Sequence, residues 1–301
     1  MQAKKRFLII DANSLIHRAY HALPRLTTRK GELVNAIYGF LLVFFRALKD
    51  FRPDFVAAAF DFPAPTFRHE QFKDYKATRP KAPDDLYEQI PKVKKILENF
   101  NIQVFEEKGF EADDIIGTIA RLSPKKQIVP EIENIILSGD LDTLQLVNSR
   151  TKVYTLKRGV KDTVLYDQGQ IRERYGGLRP EQLLDFKALK GDPSDNIPGI
   201  PGIGEKTAIL LLNDFRTLDN LYGEIDNDTA KSRKIKARTR NILKSYKNQA
   251  LLSRDLARIK KDVPIDFDFK SCAFKKYDRK NVIDLFEKFE FHSLIDRLPS
   301  V

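Results

Sequence analysis

The chain has 301 residues, of which 42% are apolar and 32% charged. That apolar content excludes a disordered chain and suffices for one large core or two modest ones. Its 53 basic and 42 acidic residues leave a net charge of +11, which suits a polyanionic partner, nucleic acid foremost, although a lysine-rich solvated surface gives the same balance. The longest apolar candidate, Leu41 to Phe45, falls far short of the ~18 residues of a membrane span. Lys4, Lys5 and Arg6 precede an apolar run, but Asp11 cuts that run after Ile10, too soon for a secretory signal. A single cysteine, Cys272, excludes a disulfide framework and a cysteine metal cluster. The chain reads as soluble and cytoplasmic.

Apolar runs predict strands at Phe7–Ile10, Phe55–Phe60, Ile102–Phe105, Ile135–Leu137, Val153–Leu156 and Thr163–Tyr166. After the first comes a polar turn and then an amphipathic stretch, Val34 to Leu48. Helical periodicity also covers Leu86–Phe100 and Ala112–Leu122. Strands alternating with helices define an α/β class with a mainly parallel twisted sheet. An odd segment, Phe62 to Pro83, carries four prolines and the bases Arg68, Lys73, Lys76, Arg79 and Lys81; loops this long are usually functional or mobile. Near residue 170 the character changes. Helical segments follow at Pro180–Lys190, Thr207–Asp214, Leu218–Tyr222 and Arg233–Ala257, then a strand-like piece, Val263–Phe269, and a helix, Arg279–Phe289. Cys272 and His292 read as structural.

The acids gather at strand ends. Asp11 follows the first strand, Asp61 the second, and Asp140 and Asp142 the fourth, while Glu111, Asp113 and Asp114 open the helix after the third. In a parallel sheet all of these share the carboxyl edge, where α/β proteins bind ligands. Asp192 and Asp195 form a further group in a Gly-rich turn. Any one group alone is more often a helix cap than a ligand. Five groups converging on one edge would repel unless cations neutralised them. All-oxygen ligation points to Mg²⁺ or Mn²⁺ rather than zinc. Such ions suit phosphodiester hydrolysis, one activating a water and a neighbour stabilising the leaving oxygen.

Two motifs grip phosphate. Ile200 to Ala208, with Gly202, Gly204, Lys206 and Thr207, has the form of a helix–hairpin–helix turn whose glycines and free N–H groups approach a phosphate closely. From Thr229 to Arg254 there are nine bases, among them Lys231, Arg233, Lys234 and Lys236, and no acid. A solvated face usually mixes signs, so this one suits phosphate tracking independent of base order.

Taken as an ordered series, these residues have a family. Ile10-Asp11-Ala12-Asn13, His17-Arg18-Ala19-Tyr20, Ala59-Phe60-Asp61, Thr66-Phe67-Arg68, Tyr75 to Pro80, Glu111 to Asp114, Ser138 to Asp142 and Gly191 to Gly199 with the following hairpin carry it. From about Phe7 to Phe291 the chain resembles the 5′ nuclease (5′→3′ exonuclease and flap endonuclease) domain of bacterial DNA polymerase I, and more distantly the flap endonucleases. The resemblance implies a PIN-like α/β nuclease core over residues 1–172, with a helical arch at about 62–90 that passes the 5′ flap. It implies a helix–hairpin–helix DNA-binding subdomain over 173–301, whose C-terminal segment returns to the core. Asp11, Asp61, Glu111 and Asp113 fall on the family's first metal site, Asp113 as a bridge. Asp114, Asp140, Asp142, Asp192 and Asp195 fall on or around its second, so two Mg²⁺ (or Mn²⁺) ions are expected. Lys76 and Arg79 match arch residues facing the scissile phosphate, and Tyr20 and Arg68 match positions near the substrate strand. A K⁺ ion is expected at the hairpin, on carbonyls near Gly199, Gly202 and Ile203. Leu141 departs from the family, which often has a base there.

The expected protein is a monomeric, structure-specific 5′ nuclease of the bacterial cytoplasm, associated with the nucleoid. It would act on a 5′ flap, nick or 5′ end, or an RNA–DNA primer junction, in primer removal and repair, leaving 5′-phosphate and 3′-hydroxyl ends. A non-catalytic DNA-binding protein would not need acids in five places. A phosphatase with an aspartyl nucleophile near Asp11 would leave the hairpin and the basic segment without a role.

Overall fold

A computed structural model describes residues 4–124, 132–160 and 162–299. At its centre lies a six-stranded sheet in the order β3-β2-β1-β4-β5-β6, formed by β1 (Lys5–Asp11), β2 (Phe55–Ala59), β3 (Gln103–Phe105), β4 (Ile132–Ser138), β5 (Thr151–Arg158) and β6 (Asp162–Tyr166). The six apolar runs of the sequence are these strands. Every neighbouring pair is parallel except β5 with β6. β1 pairs on both sides and is covered on both faces, which is why it reads as an unbroken apolar run rather than an alternating one.

Alternation decides what each face packs against. Leu8, Ile10, Val56, Ala58, Ile135 and Leu137 point to one face, covered by the helices Ala12–Ala22, Asn35–Phe51 and Ile90–Asn99. Phe7, Ile9, Ala57, Ala59, Ile136 and Val153 point to the other, covered by the helix Ala112–Leu122. A third apolar cluster joins the helices Leu183–Lys190, Glu205–Phe215 and Leu218–Asp226 to Leu243 and Ala250. The helix Arg279–Lys288 returns to the first face, where Val282 and Phe286 are fully buried. Among the described residues no helix is long and apolar enough to cross a membrane.

Three local expectations are corrected. The polar turn after β1 is a helix, Ala12–Ala22, which Asp11 starts by accepting a hydrogen bond from the Ser14 N–H. Val263–Phe269 is no strand: residues 263–268 take no regular structure and Phe269 opens a short 3-10 helix, while Phe267 and Phe269 lie against the Phe7 ring and so cover a sheet face. The expected helix Leu86–Phe100 is two helices, Asp84–Tyr87 and Ile90–Asn99, the second carrying Pro91 in its first turn, where a missing donor is tolerated. Across 62–90, where an arch is expected, the only helices besides the start of that last one are Phe67–Gln71 and Asp84–Tyr87. Pro65 and Pro83 stand just ahead of their first residues, where proline is tolerated. The segment folds down onto the carboxyl edge of the sheet, where the Lys76 N–H donates to the Asp195 carbonyl (2.9 Å) and Tyr75 is buried.

Candidate metal centre

The carboxyl edge holds a cavity of about 490 Å³ lined by Asp11, Asp61, Glu111, Asp113, Asp140, Asp142 and Asp195. Asp11 ends β1, Asp61 lies just past β2, and Asp140 and Asp142 lie just past β4. Glu111 and Asp113 come from the start of the helix after β3. Capping and facing the cavity coexist here, since Asp11 caps one helix and Glu111 shares a capping box with Asp114. Gly139 is required beside them, because a Cβ there would stand 2.9 Å from the Ser14 carbonyl oxygen.

Crowding is written into the acidities. Burial raises the Asp11 carboxyl to about 6, against hydrogen bonds from the Ser138 hydroxyl (2.6 Å) and from Ser14. Burial, then the charges of Asp11, Asp140 and Asp142, push Asp113 well above the ordinary carboxylate range. Burial and the charge of Asp140 bring Asp142 to about 7, although Lys187 opposes the rise. Asp61 opens to solvent inside the concavity and accepts from the Ala112 N–H (2.8 Å), yet the enclosing walls, and then the charge of Glu111, hold its carboxyl above its usual value.

The protein's own bases answer this charge. Lys76 Nζ lies 2.9 Å from Glu111, and Arg79 pairs with Asp195. Lys187 bridges Asp142 and Asp192, the latter at 2.7 Å. The Tyr75 hydroxyl lies 3.1 Å from Glu111 and 3.2 Å from Asp195. Lys76 adopts a left-handed backbone (φ 56°), a conformation a non-glycine residue holds only when its surroundings enforce it. With the bases so placed, among the described residues no three acid, histidine or cysteine side chains close a coordination shell as they stand.

Four sequence candidates are turned wholly or largely away from this cavity. Asp114, expected as a ligand, is fully buried and does not line the cavity. It takes a bidentate pair from Arg68 (2.7 and 2.8 Å) and also accepts from the N–H groups of Lys260 and Glu111. Its acceptor capacity is used inside the protein. Arg68, expected near substrate, is spent on that pair and on the carbonyls of Leu256 and Arg258, and only its edge reaches the cavity, 3.5 Å from Glu111. Tyr20 lies outside the cavity and donates to Asp85 (2.6 Å). Asp192 faces a second cavity of about 480 Å³ that also contains Lys187 and shares Asp142 with the first. Burial works against its charge, but Lys187 overrides that and holds its carboxyl down at about 2.

The sequence assigns no site role to Lys187, nor to Tyr75, Ser138 and His17, although the last three lie within the motifs that carry the family resemblance. Lys187 had a signal, as a cation among the core residues Leu183, Phe186, Ala188 and Leu189. For the other three, position alone gives no role: His17 and Tyr75 line the cavity and Ser138 donates to Asp11 only once the chain has closed around them.

The hairpin residues form a separate surface. Gly199 and Gly202 take positive φ (59° and 80°), and Gly204 precedes the helix that carries Lys206 and Thr207. Gly199 packs so closely on Gly191 that a Cβ would meet its nitrogen at 2.2 Å. The Gly199 carbonyl accepts from Gln249 (2.7 Å), and Ile203 is buried. Thr207, Lys231, Lys234 and Lys236 line one groove of about 410 Å³, while Arg233 pairs with Asp228 outside it.

The sheet order, the acid-lined edge and the basic helical extension together define a nuclease-type α/β protein, and comparison with known proteins agrees. Residues 6–176 match the 5'-3' exonuclease N-terminal resolvase-like domain, and residues 178–280 match the 5'-3' exonuclease C-terminal SAM fold. The chain belongs to the 5'-3' exonuclease family. It is 40% identical to DNA polymerase I of Bacillus subtilis over 298 residues, which is 99% of this chain but 33% of that protein. The chain therefore spans about one third of the length of the curated relatives it matches. Among solved structures, the bacteriophage T5 flap endonuclease, in a pseudo-enzyme–product complex with DNA and metal ions, superposes with a TM-score of 0.67 at 16% identity, covering 94% of this chain and 100% of that one. Flap endonuclease-1 from Methanococcus jannaschii gives 0.58 at 17%, covering 98% and 90%. The fold is thus the PIN-like fold of these nucleases.

Proposed function

We propose that this chain is a structure-specific, divalent-metal-dependent 5′ nuclease that hydrolyses phosphodiesters near single-strand to double-strand junctions. The observation that carries the reading is the convergence of Asp11, Asp113, Asp140 and Asp142 on one cavity beside the bases Lys76 and Arg79; burial first, and neighbouring carboxylates second, raise the carboxyls of Asp11, Asp113 and Asp142 there. An oxygen-only donor set of mutually repelling carboxylates fits a hard cation, Mg²⁺ or Mn²⁺. Asp11, Asp61, Glu111 and Asp113 would hold one such ion, and Asp140, Asp142 and Asp195 a second, with Asp192 adjoining. When bound, these ions supply a nucleophilic water at neutral pH and charge stabilisation for the phosphodiester.

The chain's own residues do the rest. Lys76 and Arg79 are held at the cavity by Glu111 and Asp195, so an incoming phosphate can take them over from those carboxylates. Their charges then stabilise the phosphate as it gains negative charge. Ser138 and Ser14 fix the Asp11 carboxylate by hydrogen bonds. The Arg68–Asp114 pair anchors the base of the 62–90 segment to the chain at Leu256 to Lys260.

In the same reading, residues 1–172 form the catalytic domain, with 62–90 passing the 5′ flap, and 173–301 grip the duplex. Gly202, Gly204, Lys206, Thr207, Lys231, Lys234 and Lys236 contact phosphates, and the carbonyls near Gly199, Gly202 and Ile203 hold K⁺. Substrates would be 5′ flaps, nicks or 5′ ends, RNA–DNA primer junctions included, acted on by a monomer in the bacterial cytoplasm. The test is a labelled 5′-flap duplex incubated with Mg²⁺ or with EDTA. Cleavage next to the junction only with Mg²⁺, leaving 5′-phosphate and 3′-hydroxyl ends, is the expected result. Equal cleavage in EDTA, or none in either, overturns the reading.

A further inference from the structure

Lys187 sits at the boundary between two cavities. Its ammonium group pairs with Asp142, which lines both, and with Asp192 at 2.7 Å, which lines only the second. The helix Leu183–Lys190 carries it, and its neighbours Phe186, Ala188 and Leu189 are buried in the third apolar cluster. The stem is therefore anchored, and the side chain is only 18% exposed. A monovalent cation is thus covalently tethered between two carboxylates from different elements, the turn after β4 and the Gly-rich turn after the helix.

Asp142 has few other polar partners. Its backbone N–H donates to Asp140 (2.9 Å), but the hydrogen bond described for its carboxylate comes from Lys187. Asp192 differs, because Ser194 also supplies it with two bonds, from N–H (2.9 Å) and hydroxyl (2.7 Å). Removing the Lys187 charge leaves Asp142 as a carboxylate facing Asp140 and Asp195 with no cation on it. Such a group either takes up a proton or binds a cation.

We propose that Lys187 is a built-in competitor for the second divalent ion, holding Asp142 and Asp192 together in its absence and weakening its binding. The proposal rests on the metal reading above. An arriving ion must displace the ammonium group from Asp142, so the ion pair is subtracted from its binding free energy. Asp11, Asp61, Glu111 and Asp113 make no described contact with Lys187, and the first ion should not feel it. The physical consequence is two unequal affinities, the weaker one set by this lysine.

The experiment titrates Mn²⁺ into the whole chain, followed by the loss of its free-ion paramagnetic resonance signal and by calorimetry, with no DNA present. Wild type, Lys187→Met, Lys187→Arg and Asp113→Asn are compared, after thermal melts confirm that each is folded. Lys187→Met keeps the length of the stem without the charge. It should bind the weaker ion about tenfold more tightly, equivalent to ~1.4 kcal/mol. Lys187→Arg should keep the weak class weak, and the tighter class should be the same in all three. Should Lys187→Met unfold, Lys187→Gln replaces it with the same expectation.

Identical titrations for wild type, Lys187→Arg and Lys187→Met overturn the proposal while leaving the metal reading intact. A looser weak class in Lys187→Met also overturns it, because the lysine would then be orienting the ligands rather than competing. No Mn²⁺ uptake by wild type overturns the metal reading itself. Loss of the tight class in Asp113→Asn alone identifies which class each residue serves.

Discussion

Arg68 and Asp114 meet through two parallel hydrogen bonds of 2.7 and 2.8 Å, with both side chains at most 3% exposed. They stand 46 positions apart in the chain, yet together they occupy nearly every polar atom that either offers. Removing one partner of such a pair leaves a buried, uncompensated charge. Asp114→Ala should therefore cost about 3–5 kcal/mol of stability in a denaturant melt. A loss within ~0.5 kcal/mol would mean the pair opens to water in solution.

Asp113, the next residue, should behave in the opposite way. Asp113→Asn removes a charge that is already crowded by four neighbouring carboxylates, those of Asp11, Asp140, Asp142 and Glu111. Melting temperature without metal should stay level or rise, while cleavage of flap DNA falls by at least ~10³-fold and junction binding persists. Asp140→Asn should lose cleavage in the same way. Full activity in either variant would count against a metal centre at this edge.

The raised carboxyls make stability depend on pH. In the folded chain Asp11 titrates near 6 and Asp142 near 7, above the ~4 of an unfolded aspartate. The folded state then binds protons that the unfolded state releases, so this contribution is complete below pH ~4 and is lost as pH rises through about 6 to 7. For Asp11 alone it is on the order of 3 kcal/mol. Metal-free protein should melt higher at pH 5.5 than at pH 8, and Mg²⁺ should raise the melting point more at pH 8. Equal Mg²⁺ shifts at both values would show that the carboxylates do not hold the ion.

In the proposed reading Lys76, now paired with Glu111, serves the reacting phosphate rather than duplex binding. Lys76→Ala should slow single-turnover cleavage by roughly 10²-fold and change duplex affinity by less than about threefold. An unchanged single-turnover rate would remove Lys76 from the reacting centre.

Lys234 lines the groove beside the hairpin, and Lys206 opens the helix that follows it. Replacing both with alanine should lower the slope of log affinity against log salt by about 2, with little effect on base preference. An unaltered slope would put the phosphate-tracking surface elsewhere.

Much of this was legible in the residue order. All six strands announced themselves as apolar runs, and acids placed directly after such runs must gather at one edge if the sheet is parallel, because parallel strands all end on the same side. The helical character after residue 170 and the hairpin glycines were equally plain, being local properties of backbone and composition.

What the linear chain could not decide was the direction of each acid once gathered. Asp113 and Asp114 are chemically alike and adjacent, but a helix rotates about 100° per residue. One therefore faces the cavity while its neighbour faces the interior, where Arg68 meets it. Tyr75 on Asp195 and Lys187 on Asp142 are likewise contacts across 120 and 45 positions. Such pairings depend on how separate elements pack together, and no spacing along the chain encodes them.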